Sequence, residues 1–246
     1  MYKNKTVFIS GCNRGVGKNI SIRFLESGAN LICTIRKFDR KLEKFLHEKK
    51  KYKNQSISFL ELDFLNQRSI KQKIQAKNIQ KQQIDFLINN AAMPHGSIFE
   101  MTKIDKIKEI FEVNFFSQLM LTQLLIRSLK KSKSPAIINI GSISGLVPER
   151  GNLAYGASKS ALMFASKILA NELSQNNIRV NSVAPSMINT GMSMDMDEAS
   201  QKRIQNISYN KSKVPVEDIS EIVLFLCSES AKFINGSTIR VDGGMQ

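Results

Sequence analysis

Short continuous apolar runs alternate with amphipathic stretches along the whole sequence. Thr6–Ser10 (TVFIS) is β-rich and predicts a first strand. Helical spacing follows from Gly15 to Ser27, with Ile20, Phe24 and Leu25 on one stripe. The alternation continues with a strand over 31–35, a Lys-rich helix over 40–51, a strand over 57–62, a helix over 67–77 and a strand over 86–89. A long helical period over 104–129 comes next, then a strand over 136–140, a helix over 154–174, a strand over 178–184, a helix over 219–228 and a last strand over 238–241. The runs FLIN and IINI are apolar without alternation, as strands covered on both faces are. Strand-then-helix order implies parallel strands joined by helical crossovers. The expectation is one doubly wound α/β domain over residues 1–246, with about seven parallel strands and helices on both faces. Ligands of such sheets bind outside the carboxyl ends of the strands.

Composition narrows the class. The 246 residues are 42% hydrophobic and 23% charged, which excludes wholesale disorder, collagen-like repeats and a polytopic membrane protein. The longest apolar stretch, Phe115 to Ile126, is interrupted by Ser117, Gln118, Thr122 and Gln123 and falls short of a membrane span. The start, MYKNKTVFIS, has no apolar run of signal-peptide length. Cys12, Cys33 and Cys227 are scattered and form no CxxC pair, so a reducing, cytoplasmic setting is expected. Net charge is +15, and its excess is concentrated in residues 1–82, with 19 basic and 6 acidic side chains. No aromatic-interleaved or helix-turn-helix pattern accompanies this charge, so neither nucleic acid nor membrane is expected as a partner.

Two strand ends carry candidate chemistry. The first strand runs into Gly11-Cys12-Asn13-Arg14-Gly15-Val16-Gly17 and then a helix. Glycines there allow positive φ and close approach of a pyrophosphate, and the helix N-terminus offers free N–H groups to it. This predicts a dinucleotide site. NAD sites place a carboxylate after the second strand, but here the strand ends Thr34-Ile35-Arg36-Lys37, with no acid before Asp39. Arg14 and Arg36 would instead pair a 2′-phosphate, so NADP(H) is expected over NAD(H). Further along, Tyr155 and Lys159 stand i and i+4 on one helix face, an ammonium beside a phenol. Ser142 ends the strand in Ile140-Gly141-Ser142 and faces the same pocket. Such a group can exchange a proton with a carbonyl or alcohol oxygen while hydride moves on carbon.

With these motifs, the chain resembles a short-chain dehydrogenase/reductase over essentially its whole length. Asp63 in LELDF, Asn89-Asn90-Ala91, Asn114, Pro185 and the ending Val241-Asp242-Gly243-Gly244 extend the likeness. The resemblance implies a Rossmann-type fold and a tetrad of Asn114, Ser142, Tyr155 and Lys159. Asn114 would hold a relay water, Ser142 orient the substrate oxygen, Tyr155 serve as acid/base and Lys159 also bind the nicotinamide ribose. Asp63 and Phe64 would line the adenine pocket, Asn90 contact the adenosine side, and Ile188, after Pro185, hold the carboxamide through its backbone. Ser10, Ala92 and Ser186 replace the family's commoner Thr, Gly and Gly. A substrate lid is expected over about 187–213, with Met187, Met192, Met194 and Met196 on it.

The likeness is greatest to the 3-oxoacyl-(acyl-carrier-protein) reductase branch, which docks its acidic carrier on a basic residue before strand 5 and an Arg before strand 6. Here the first is Lys133, beside Lys130 and Lys131, while the second position is Asn176. The expected substrate is therefore a small-molecule or carrier-linked carbonyl; a reductase or dehydrogenase of a sugar, nucleotide-sugar or secondary metabolite and a non-catalytic dinucleotide binder are the alternatives. Surplus apolar residues Phe115, Phe116, Leu119, Met120, Leu162, Met163 and Phe164 suggest a homotetramer, with 234–246 closing a second interface. His47 and His95 read as surface histidines, and no metal site is expected.

Overall fold

The computed structural model describes residues 2–188, 208–210 and 212–245. Its elements are β1 (Thr6–Ile9), α1 (Gly15–Glu26), β2 (Asn30–Ile35), α2 (Arg40–Glu48), β3 (Ile57–Glu61), α3 (Gln67–Ala76) and β4 (Phe86–Asn89). They continue with α4 (Ile104–Phe111), α5 (Ser117–Leu129), β5 (Ala136–Ile140), α6 (Leu153–Glu172), β6 (Arg179–Pro185), α7 (Val216–Cys227) and β7 (Thr238–Val241). Among the described residues the seven strands form one parallel sheet in the order β3-β2-β1-β4-β5-β6-β7. This is the Rossmann-type arrangement that the alternation predicts.

Strand side chains alternate between two buried layers. Val7, Ile9, Leu31, Cys33, Phe86 and Ile88 face one layer, against Ile20, Phe24, Leu42, Leu46, Ile219 and Val223 of α1, α2 and α7. Phe8, Ile32, Leu87 and Ile137 face the other, against Ile70, Ile74, Leu121, Leu125 and Leu129 of α3 and α5. Burial on both faces explains the uninterrupted apolar runs. The order reverses at β1, which pairs with β2 on one side and β4 on the other. Crossovers on the two sides of this point cover opposite faces and open a crevice at the strand ends.

The helix expected over 104–129 is broken. Residues Glu112–Phe116 form a π-helical segment between α4 and α5. A π turn inserts one residue into the α repeat, and the apolar spacing on either side is blind to it. No described helix is long and apolar enough to cross a membrane.

Candidate active site

The loop from β1 to α1 is shaped by its glycines. Gly11 and Gly15 hold φ of +72° and +54°, a region costly for other residues. Gly17 is needed for space: a Cβ there would lie 2.1 Å from the Gly11 carbonyl oxygen and 2.4 Å from Asn90 Nδ2. Asn90 Nδ2 donates to the carbonyls of Ser10 and Gly11, both at 2.9 Å, and Thr34 Oγ1 accepts from Gly11 N at 3.0 Å. Ser10 Oγ accepts from the amides of Asn90 and Ala91 at 2.8 and 2.9 Å, work that needs only a hydroxyl. Asn90 therefore lines the crevice and also braces the glycine loop from beneath. Asn13, Arg14, Gly15 and Val16 line the cavity at the start of α1, whose first turn carries no acid. Free amides and the positive end of a helix dipole suit this rim to an anion such as a phosphate.

At the end of β2, Arg36 joins Arg14 on the cavity wall. Among the described residues neither guanidinium has an ion-pair partner. Nearby acids are otherwise engaged. Asp39 caps α2, accepting from Lys41 N at 2.8 Å and Leu42 N at 3.3 Å. Glu61 accepts from the Phe38 amide. Asp63 and Phe64 line the cavity, with Asp63 accepting from Leu65 N at 3.1 Å.

Tyr155 and Ser142 meet because α6 packs unusually close to the turn after β5. A Cβ on Gly156 would lie 2.4 Å from Ser144 O, and one on Gly145 would lie 2.7 Å from Ser160 N. Burial pushes the Tyr155 phenol above its ordinary range, and a hydrogen bond with Ser142 opposes the rise. Ser142 Oγ accepts from Ser144 N at 3.2 Å, which leaves its proton for another acceptor. Lys159 is fully buried, and desolvation lowers its ammonium to about 8. Its Nζ donates to Ile140 O at 2.7 Å and lies 5.8 Å from the Tyr155 ring centroid. The cation is thus on the expected face, but in this arrangement it is spent on a strand carbonyl. The phenol goes up rather than down, because desolvation outweighs every favourable contact.

Asn114 sits in the π segment, fully buried. Its Oδ1 accepts from Met93 N at 2.7 Å, and its Nδ2 donates to Met93 O and Ser158 Oγ, both at 3.0 Å. Ser158 Oγ donates in turn to Tyr155 O at 2.7 Å. The side chain of Asn114 therefore ties α6 to the loop after β4.

One cavity of about 1320 Å³ is lined by Gly11, Arg14, Arg36, Asp63, Phe64, Ser142, Tyr155, Lys159, Pro185 and Ile188, among others, while Asn114 and Gly17 lie behind its wall. Ile188 bridges to Val214, just beyond β6. Ser186 hydrogen-bonds through its amide to Val241 O at 3.0 Å. Of the expected lid, Met187 is buried on the cavity wall, while Met192, Met194 and Met196 lie outside the described residues. His95 corrects the sequence reading: it is half-buried and lines the cavity, because the loop after β4 folds back over the strand ends. Leu162 and Met163 are buried within the chain itself, Met163 under Gly141 and Gly145, so they supply no outer face. Phe116 and Phe164 are exposed as expected.

Sequence reasoning also misses a polar chain beneath the site. Asn89 Nδ2 donates to Thr122 Oγ1 and Asn139 Oδ1 at 2.9 and 2.8 Å. Asn139 Nδ2 donates to Ser166 Oγ at 2.7 Å, and Ser182 Oγ lies 2.9 Å from Ser166 Oγ. These buried bonds fix β4, β5, β6, α5 and α6 in register. The signal was present as an Asn inside FLIN and another inside IINI.

Comparison with known proteins agrees with this geometry. Residues 11–246 match a family model described as enoyl-(acyl carrier protein) reductase. A 3-oxoacyl-(acyl-carrier-protein) reductase of Buchnera aphidicola subsp. Schizaphis graminum is 32% identical, covering 99% of this chain and 98% of that protein. An acetoacetyl-CoA reductase of Acinetobacter sp. is 27% identical over 100% of this chain and 99% of that protein. A solved structure of 4-hydroxyisoleucine dehydrogenase complexed with NADH superposes with a TM-score of 0.88 at 29% identity, covering 98% of each chain.

Proposed function

This chain belongs to the short-chain dehydrogenase/reductase family, an oxidoreductase acting on CH–OH groups with a nicotinamide dinucleotide, and we propose that it interconverts a 3-oxoacyl thioester and its 3-hydroxy product with NADP(H). The observation that carries the reaction is the meeting of Ser142, Tyr155 and Lys159 at one end of a cavity whose other end suits a phosphate. The residues fit such a cofactor, since Gly11, Asn13, Arg14 and Gly15 line the cavity at the N-terminus of α1 and Arg36 lines it at the end of β2. When bound, the dinucleotide supplies or accepts the hydride. Gly11, Asn13, Arg14, Gly15 and Val16 would hold its pyrophosphate, with Gly17 packed behind them, and Asp63, Phe64 and Asn90 its adenosine half. Pro185 and Ile188 would border the nicotinamide.

The protein's own part is proton transfer and orientation. Tyr155 is protonated at neutral pH, so its phenol can donate to a carbonyl oxygen as charge develops there. Ser142 aims a second O–H at the same oxygen. Lys159 brings positive charge close to the phenol and can return a proton to it. Asn114 acts through Ser158 to fix the Tyr155 backbone; a relay water held at this residue would bond to its main chain or to Oδ1, since both Nδ2 protons are engaged. The 2′-phosphate preference is supported by Arg14 and Arg36, which have no ion-pair partner among the described residues, and by Asp39 being consumed as a helix cap. A homotetramer is supported by the exposed Phe116, Phe164 and Ile168.

The test is NADPH oxidation with 3-oxobutanoyl and 2-butenoyl thioesters. Turnover of the first alone is expected. Turnover of the second alone would favour reduction of a carbon–carbon double bond and overturn the reading. A second reading, a small soluble ketone, is favoured by Asn176, an uncharged residue where carrier docking would use an Arg.

A further inference from the structure

Beyond Tyr155, the cavity continues between two loops. One follows β4 and carries Pro94, His95 and Ser97; the other precedes α6 and carries Glu149, Arg150 and Asn152. The loops are joined at one point: Ser97 N donates to Gly151 O at 2.8 Å. Gly151 holds φ of +84°, which turns the second loop sharply at that contact. His95 and Arg150 lie two and one residues before the joined pair, so both stand on the same wall of the cavity.

Arg150 is exposed, so water solvates its guanidinium, whereas His95 is half-buried. Among the described residues Arg150 forms no ion pair or hydrogen bond, and His95 Nδ1 is buried without a partner. Buried polar atoms are almost always paired, and the exceptions call for an explanation. His95 retains Nε2 as the nitrogen able to meet a ligand. The acid beside them is engaged, since Glu149 Oε2 accepts from Asn152 Nδ2 at 2.6 Å. The Arg150 guanidinium and the His95 imidazole line one cavity and present N–H donors to whatever enters, with the Glu149 carboxylate held by Asn152.

We infer that His95 and Arg150 form an oxyanion subsite: the natural substrate is a ketone or secondary alcohol that bears a carboxylate or phosphate, held at this wall while its carbonyl faces Ser142 and Tyr155. This rests on the ketone/alcohol reading above and narrows its substrate class. Arg matches both oxyanions through paired N–H donors, which makes it a specificity device and not merely a charge. The phosphate has two sources, a small phosphorylated ketone or the phosphate of a pantetheine thioester; the carboxylate has one, a keto acid.

The test compares matched substrates on the full-length protein with NADPH. Oxo acids of increasing length (3-oxobutanoate, 4-oxopentanoate, 5-oxohexanoate) are set against their methyl esters, and dihydroxyacetone phosphate against dihydroxyacetone. 3-Oxobutanoyl-CoA is set against the N-acetylcysteamine thioester, which lacks phosphate. At least one anionic member should exceed its neutral partner about tenfold or more in kcat/KM, the worth of one charge-assisted contact. Arg150→Gln and His95→Gln should erase that ratio by raising KM, leaving the neutral substrate and NADPH affinity unchanged. Equal kcat/KM within every pair, or variants that keep the ratio, would overturn the subsite. An enzyme that reduces no ketone at all would overturn the reading beneath it. In that case the subsite is judged by calorimetry, with 4-oxopentanoate and inorganic phosphate as probes. Binding that is lost in Arg150→Gln sustains the subsite, and no binding overturns it.

Discussion

Tyr155 and Lys159 carry opposite burdens. Tyr155 is raised by burial and so is an acid at neutral pH. Ketone reduction should therefore be nearly flat through neutral pH. Alcohol oxidation needs the deprotonated phenol, so its kcat should climb with pH into the alkaline range. An oxidation profile that is flat from about pH 7 to 10 would remove Tyr155 as the titrating group. Tyr155→Phe keeps the ring but loses the proton, and should lower kcat by about 10²–10⁴ with NADPH affinity retained. Lys159 is a buried ammonium whose pKa falls to about 8. Below that pH the folded chain bears the desolvation penalty in full. From about pH 8 to the ordinary Lys value near 10.4, the unfolded chain binds a proton that the folded one has released, so stability rises with pH there. Lys159→Met should therefore be more stable than the parent at neutral pH, by roughly 1–3 kcal/mol, with the gain shrinking as pH rises. Urea denaturation at two pH values measures it, and a less stable variant would contradict the account. At the far end, Arg36→Ala should weaken NADPH far more than NADH, by about 1.5–3 kcal/mol in equilibrium binding. Equal losses would remove Arg36 from the 2′-phosphate.

At the scale of elements, two helices are set by glycines that do different jobs. α1 approaches the end of β1 only because Gly17 lacks a Cβ, and α6 approaches the turn after β5 only because Gly156 does. Adding one methyl at either place forces a shift against backbone, typically costing about 1–3 kcal/mol. The functional consequences should separate. Gly17→Ala displaces the rim at the start of α1 and should raise the Kd for NADPH at least tenfold. Gly156→Ala moves Tyr155 away from Ser142 and should lower kcat by a similar factor with a nearly unchanged Kd, since small misplacements of a reacting group are costly. Fluorescence titration and steady-state kinetics on both variants check this. The same loss in both parameters for both variants would mean that the two junctions are not independent.

For the whole molecule, Phe164 and Ile168 lie one turn apart on the outer face of α6, 65% and 46% exposed. An apolar stripe on a helix that already buries its inner face suggests a second covered surface. Light scattering should give a tetramer, and Phe164→Glu with Ile168→Glu should release smaller species. A parent chain that is monomeric at micromolar concentration would refute this. The charge has its own consequence. If the substrate is carrier-linked, Lys130, Lys131 and Lys133 should attract an acidic carrier, and activity should fall as salt screens that attraction beyond about 8–10 Å. Replacing the three with Glu should raise KM for the carrier-linked substrate and spare a small ketone. The same kcat/KM on free and carrier-linked substrates would favour the soluble one.

The division between sequence and tertiary structure follows from what each side chain depends on. Strand and helix order, the glycine loop, the Tyr155–Lys159 spacing and the lack of an acid between Arg36 and Asp39 are local patterns, so the sequence alone determined them. A side chain's partner is not local. Lys159 turned into a donor to Ile140, and Asn114 into a clamp on Ser158, only when segments apart in sequence met, whereas the Asp39 cap is local to its own helix. The π segment at Glu112–Phe116 escaped the apolar period because one inserted residue leaves the flanking stripes intact. Leu162 and Met163 looked surplus on a helical wheel, yet both are buried within the chain, Met163 beneath the turn after β5. His95 looked like a loop histidine until its loop was joined to Gly151. Chain order fixes which residues can form a strand or helix, whereas burial, pKa and partnership depend on packing between segments far apart in sequence, and these were decided only in the folded molecule.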